Sequence, residues 1–241
     1  MNQIFAALLF ASLILPSLAA PALAAPPAPS ARTSKLSMVY SVNRAGQAIG
    51  EIKETLEITA GQYRLESATI PVGVLAVFVK ETIKQNSSGT HGASGFRPEQ
   101  FSYHRTNKTS KNLDARFDWG SQTATFNFDG KTESQPLPKQ LQDRLSLAYQ
   151  FRYWPKGKDR LVLPISNGKS ITEYTIVRAG EEMLTVPAGR FQTTRYTRQL
   201  TPDDDGITVW VSSKLAAPIK ITVEEKKGVY TEQVLTRVMS E

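Results

Sequence analysis

The chain has 241 residues, 40% of them hydrophobic and 21% charged, with a formal net charge of +7 and no cysteine. That is globular composition with apolar material for a sizeable core, and it excludes default disorder, disulfide staples, zinc–thiolate sites, thiol catalysis and a lipid-bearing cysteine. No Lys/Arg run exceeds two residues, so there is no polybasic anchor, only a mild general attraction to anionic surfaces.

Residues 4–19, IFAALLFASLILPSLA, are the one long apolar run, and they precede an A-x-A site at Ala22 to Ala24. This reads as a secretory signal over residues 1–24 with cleavage before Ala25, although the leading Met-Asn-Gln lacks the usual Lys or Arg. The competing reading is an uncleaved anchor helix, but the run is interrupted by Pro16 and falls short of the ~20 residues of a membrane span. We therefore expect a periplasmic protein with no transmembrane span after cleavage and no nucleic-acid partner. Residues 25–35, rich in Ala, Pro and Ser, read as a flexible linker. Residues 36–241 are left as a single β-rich domain.

From there the pattern is short alternating segments separated by turn residues. SMVYSV leads through Asn43-Arg44-Ala45-Gly46 into a run where Ile52, Leu56 and Ile58 share one parity and Lys53, Glu57 and Thr59 the other. AGQ then turns into YRLESAT, the signature of antiparallel hairpins with one buried face. IPVGVLAVFVKETIKQ breaks the pattern, since proline and glycine precede an apolar run without clean alternation. FDWGSQTATFNF resumes it, divided at Gly120 and followed by the Asp129-Gly130 hairpin signal.

Residues 139–153 break it again. The stretch alternates like a strand, yet it contains no Val, Ile or Thr. Its Leu, Gln, Arg and Ala favour a helix, placed at about 143–152, with Asp143 as N-cap and Ser146 at the third helical position. Strands return as RLVLPI, ITEYTIVR, EMLTV, RFQTTRYTRQL, ITVWVSS, IKITVEE and VYTEQVLT. Turns are expected at Asn167-Gly168, Ala179-Gly180, Pro187-Ala188-Gly189 and Lys227-Gly228.

Chemical signatures are sparse. His91 and His104 lie in or beside one loop with only Glu99 between them, too few donors for a metal site. The run Asp203-Asp204-Asp205-Gly206 lacks the alternate ligands and distal Glu of a calcium loop and reads as an exposed turn. There is no G-x-S-x-G, and the lone S-x-x-K from Ser166 to Lys169 straddles a tight turn. Asp118, before Trp119 and Gly120, reads as a strand-end residue. No cofactor is implied, no metal site is assigned, and a non-catalytic protein is favoured over an enzyme.

DRLSLAYQFR at 143–152 resembles the D-x-L-S-x-x-Y motif of a bacterial exported family, domain of unknown function 3108. GQAIGE, GFRPEQFSYHR, FDW, VPAGRFQTTRYTR, TVWVSS and PIKIT follow the family's order, spanning nearly all of 36–238. Ala217-Pro218-Ile219 stands where the family has L-P-V. The resemblance implies an exported, β-rich single domain and carries no catalytic residue with it.

The expected fold is all-β and mainly antiparallel, a strongly curved sheet or half-barrel with one short helix on its concave or open side. Such a shape resembles the carriers that move lipoproteins across the periplasm. The leading functional expectation is a binding or carrier protein for an apolar or lipid-like envelope ligand, with Val74, Leu75, Phe78, Leu145 and Tyr149 as lining residues and plain core packing as their competing role. A second expectation is a scaffold that offers an exposed strand edge to an envelope protein. A third is a wall-polymer hydrolase using Asp118, Asp143 or Glu99.

Overall fold

The computed structural model describes residues 33–199, 206–224 and 228–240. The signal segment, the linker up to residue 32, the acidic run 203–205 and the turn residue Lys227 lie outside the described residues.

The first half of the chain forms β1 (Thr33–Arg44), β2 (Gln47–Thr59), β3 (Gln62–Pro71), β4 (Ile83–Gly92), β5 (Gly95–Arg105), β6 (Leu113–Asp118), β7 (Thr123–Phe128) and β8 (Lys131–Pro136). A four-residue helix α1 (Leu75–Phe78) interrupts the path from β3 to β4. The second half comprises β9 (Gln142–Asp143), helix α2 (Leu147–Gln150) and six more strands. These are β10 (Arg160–Ser166), β11 (Ile171–Val186), β12 (Gly189–Arg198), β13 (Gly206–Ser212), β14 (Ala217–Glu224) and β15 (Tyr230–Ser240).

The fifteen strands of the described residues belong to one sheet, ordered β8-β7-β6-β5-β4-β3-β2-β1-β15-β14-β13-β12-β11-β10-β9. Each half is an antiparallel meander, and only β9 pairs in parallel, with β10. The halves join where β1 pairs with β15 along most of its length. The sheet is not closed, because β8 and β9 are its two free edges. It curls strongly nonetheless. The side chain of Gln142 on edge strand β9 reaches β5, donating from Nε2 to the Phe96 carbonyl at 2.8 Å.

Side-chain parity decides which face is inside. In β6, Leu113, Ala115 and Phe117 are buried while Asp114, Arg116 and Asp118 are exposed, the alternation a pleated strand imposes. Two-residue turns at Ala45-Gly46, Ala60-Gly61 and Asp129-Gly130 have positive φ at both positions, which suits the right-handed twist of a hairpin.

Three local expectations are corrected. Thr33, Ser34 and Lys35 are the first residues of β1 rather than linker, because β2 extends to Thr59 and gives Thr33 a partner. Ala179-Gly180 is not a turn. β11 runs through it as one 16-residue strand, and Gly180, with φ +119, absorbs a bulge where the pairing with β12 shifts. Helix α2 begins at Leu147 rather than 143, since Gln142 and Asp143 are engaged in pairing with Ile165 and Ser166 of β10.

The interior splits into two apolar clusters. One gathers Tyr40, Leu65, Phe101, Phe117, Leu145, Tyr149, Ile219 and Leu235 among others. The other contains Leu147, Ala148, Phe151, Ile165, Tyr196, Val209 and Val211. Both draw on the 145–151 stretch, so the helical segment is a wedge between two walls of the curled sheet.

Candidate functional site

The helical segment is held by an unusual density of polar bonds. Asp143 Oδ1 accepts from the N–H groups of Leu145 at 2.9 Å and Ser146 at 2.8 Å, and Ser146 Oγ accepts the Asp143 N–H at 3.1 Å. This reciprocal pattern closes the turn that leads into α2, but Asp143 is not the N-cap of the helix as expected: that position is Ser146, which makes no side-chain cap hydrogen bond, because Asp143 is paired with β10. The other carboxylate oxygen of Asp143 accepts from Ser87 Oγ at 2.5 Å, and Ser87 lies 2.8 Å from Tyr63 Oη. At the end of α2, Gln150 Oε1 accepts from Phe96 N–H at 2.8 Å and its Nε2 donates to the Ser94 carbonyl at 2.9 Å. The chain continues as a 3-10 turn, Phe151–Tyr153.

Beneath the segment lies a cleft of about 330 Å³, near the lower end of the range of roughly 300–1,000 Å³ for small-ligand sites. Ile52 of β2, Ile165 of β10, Val209 of β13, and Ile221 and Val223 of β14 form its sheet walls; Leu145, Leu147, Ala148 and Tyr149 form its roof. Among the described residues, two charged ones line it, Glu54 and Arg144. Glu54 is buried, whereas Arg144 is exposed, with its guanidinium 5.8 Å from the Tyr103 ring centre. We therefore place the floor at Glu54 and the mouth at Arg144.

Among the described residues no cation pairs with the acid at the floor. Glu54 accepts a hydrogen bond from Tyr149 Oη and another from the Ser67 hydroxyl, yet burial outweighs both and pushes its carboxyl up to about 7 from an ordinary 4.5. Neighbouring Tyr40 is held well above its usual range by burial and by the Glu54 charge, and donates to the Pro218 carbonyl at 3.0 Å. Burial likewise lifts Asp143 to about 6, against the lowering pull of Ser87 and the backbone N–H groups.

Of the lining residues expected from sequence, the structure brings Leu145 and Tyr149 together in this cleft. Val74, which caps α1, and Leu75 and Phe78 within it are exposed instead and are not among its lining residues. Asp118 and Glu99 are exposed. Asp118 Oδ1 accepts from the N–H groups of Gly120 and Ser121 at 2.9 and 3.1 Å, which holds its carboxyl below the usual range. His91 Nε2 lies 2.5 Å from Tyr153 Oη, and His104 Nε2 lies 3.0 Å from Asp114. Among the described residues no group of three or more His, Cys, Asp or Glu is placed to hold a metal ion.

Sequence reasoning missed Glu54, although a signal was there. It shares the inward parity of Ile52 and Leu56, so a strand that buries those residues buries the acid as well.

The sequence model of the family described as "Protein of unknown function (DUF3108)" matches residues 37–234. No curated protein sequence matches the chain significantly. Among solved structures, a β-barrel-like protein of the domain of unknown function DUF1849 from Brucella abortus superposes with a TM-score of 0.58 at 8% identity, over 86% of this chain and 98% of that one. That likeness is one of fold alone. A match to a Bacteroides fragilis protein with a YmcC-like fold spans 86% of this chain and 95% of that one at 11% identity, with a TM-score of 0.35.

Proposed function

The chain belongs to the DUF3108 family, and we propose that it is an exported binding or carrier protein that holds one apolar, acyl-like ligand in the cleft beneath its helical segment. The observation that carries this reading is the distribution of polarity in the cleft. Its lining sets aliphatic side chains among neutral polar ones, Ser67, Gln85, Asn167 and Gln233, while its charged residues are exposed Arg144 at the mouth and buried Glu54 at the floor.

An acyl chain along Ile52, Ile165, Val209, Ile221 and Val223 would exchange water for apolar contact, the dominant favourable term in such sites. Glu54, with its carboxyl near 7, is largely protonated at mildly acidic pH and then presents a neutral floor. Arg144 at the mouth suits a carboxylate or phosphate head. The N-terminal signal pattern supports a periplasmic location, where such ligands are carried between membranes.

The scaffold reading has less support. Edge strand β8 is exposed and polar, with Lys131, Glu133 and a terminal Pro136, features that blunt edge-to-edge pairing. The other edge, β9, is two buried residues long.

The test is native mass spectrometry of the purified protein, followed by titration of the delipidated protein with a fluorescent fatty acid. We expect co-purifying lipid, saturable probe binding, and loss of both in Ile221→Trp, which fills the cleft from β14 while far-UV circular dichroism is unchanged. Delipidated protein that takes up no probe, or Ile221→Trp that binds it as wild type does, would sink the proposal.

A further inference from the structure

Between β3 and β4 the chain leaves the sheet and displays apolar side chains to solvent. Val74 is 78% exposed, Val77 68%, Phe78 79% and Leu75 38%, and α1 buries none of its residues. A contiguous apolar tip of this kind marks an interaction site on a protein surface.

The tip is braced rather than loose. At its entry Val72 N–H donates to the Ile49 carbonyl at 3.2 Å. At its exit Thr106 N–H donates to the Thr82 carbonyl at 3.1 Å, Thr82 N–H returns to Thr106 Oγ1 at 3.0 Å, and Asn107 Nδ2 donates to the Lys80 carbonyl at 2.6 Å. These bonds set the loop after β5 beside the tip.

Both segments are basic. Residues 72–84 and 105–112 together contain Lys80, Lys84, Arg105, Lys108 and Lys111 against one acid, Glu81. Glu81 is buried and paired with Arg105, while Lys80, Lys84, Lys108 and Lys111 are exposed. At the root, Glu51 opposite Ile70 lies 3.8 Å from Lys53. An uncovered apolar tip with lysines on its flank matches a bilayer, whose acyl layer takes the valines and phenylalanine while anionic headgroups meet the ammonium groups.

From this pairing of apolar tip and basic collar we propose that the β3–β4 connection docks the protein on an anionic lipid surface. The proposal is independent of the cleft, since none of these residues lines it.

The test is flotation of the exported protein with vesicles of phosphatidylethanolamine and phosphatidylglycerol, and with vesicles of phosphatidylcholine alone. Wild type is expected to float with the former and weakly with the latter. Val77→Asp with Phe78→Asp should weaken binding by about tenfold or more, and Lys80→Glu with Lys108→Glu by about thirtyfold or more. These surface substitutions should leave the circular dichroism spectrum and melting temperature in place. Phe78→Trp should show blue-shifted emission on anionic vesicles, quenched by brominated acyl chains. The proposal fails if wild type does not float, if the aspartate variant floats as wild type does, or if the tryptophan at 78 stays unquenched. It also fails if vesicles have no effect and sedimentation shows a dimer that the aspartate variant abolishes.

Discussion

Glu54 is the residue whose energetics depend most on its surroundings. Its folded carboxyl sits near 7 against 4.5 when solvated, so the folded state binds more protons than the unfolded chain between those values. By linkage its contribution is most favourable below about pH 4.5 and is lost as the pH rises through about 7. Asp143, raised from 3.8 to about 6, adds a loss of the same sign in a slightly lower window. We predict that Glu54→Gln, which keeps an acceptor for Tyr149 Oη but cannot ionise, is the more stable protein at pH 8 by on the order of 3 kcal/mol. Below about pH 4 the two should nearly coincide. Urea unfolding across that range checks it, and a gap that widens toward acid would contradict the buried-acid account. Sequence pattern alone could flag Glu54 as inward-facing, between Ile52 and Leu56. It could not assign the environment, because Tyr149 arrives from 95 residues away.

At the scale of elements, the helical segment depends on what other strands leave open for it. Gly95 has φ +95, and a Cβ built there would lie 2.2 Å from Gln150 Oε1. We expect Gly95→Ala to push the Gln150 amide off Phe96 N–H and the Ser94 carbonyl, costing about 2–6 kcal/mol from backbone strain and two lost bonds. Hydrogen exchange should rise at 146–153 more than in the hairpins of β6, β7 and β8; a uniform rise would show that Gln150 is not the local tether. The contrast between elements also explains what was legible in advance. Strand parity and Gly-containing turns are local, so β6, the Asp129-Gly130 hairpin and the helical character of 147–150 could be read directly. Gly180 misled because its positive φ serves a bulge as well as a turn, and the choice rests on β12. The start of α2 was misplaced because the pairing of Gln142 and Asp143 with β10 is non-local. The cleft was invisible for the same reason, since its walls come from β2, β10, β13 and β14.

At the scale of the whole molecule, the two meanders depend on one seam and one wedge. β1 and β15 pair across nearly the full length of the chain, a contact whose loop-closure cost is met only when both halves are largely formed. The wedge couples the halves a second time, since Asp143 is tied to Ser87 of β4 while Leu147 and Phe151 pack with Val209 and Val211 of β13. Neither meander can bury its inner face alone, so we expect unfolding as one cooperative unit. Leu235 tests this at the seam, being fully buried and opposite Tyr40 of β1. Leu235→Ala should destabilise by about 2–5 kcal/mol through lost contact and the cavity left behind. It should do so as a single urea transition, seen alike by far-UV circular dichroism and by the fluorescence of Trp119 in the first half and Trp154 and Trp210 in the second. Two separated transitions would instead mean that each meander is stable without the other, and the helical segment would then be a lid on one half rather than a wedge between two.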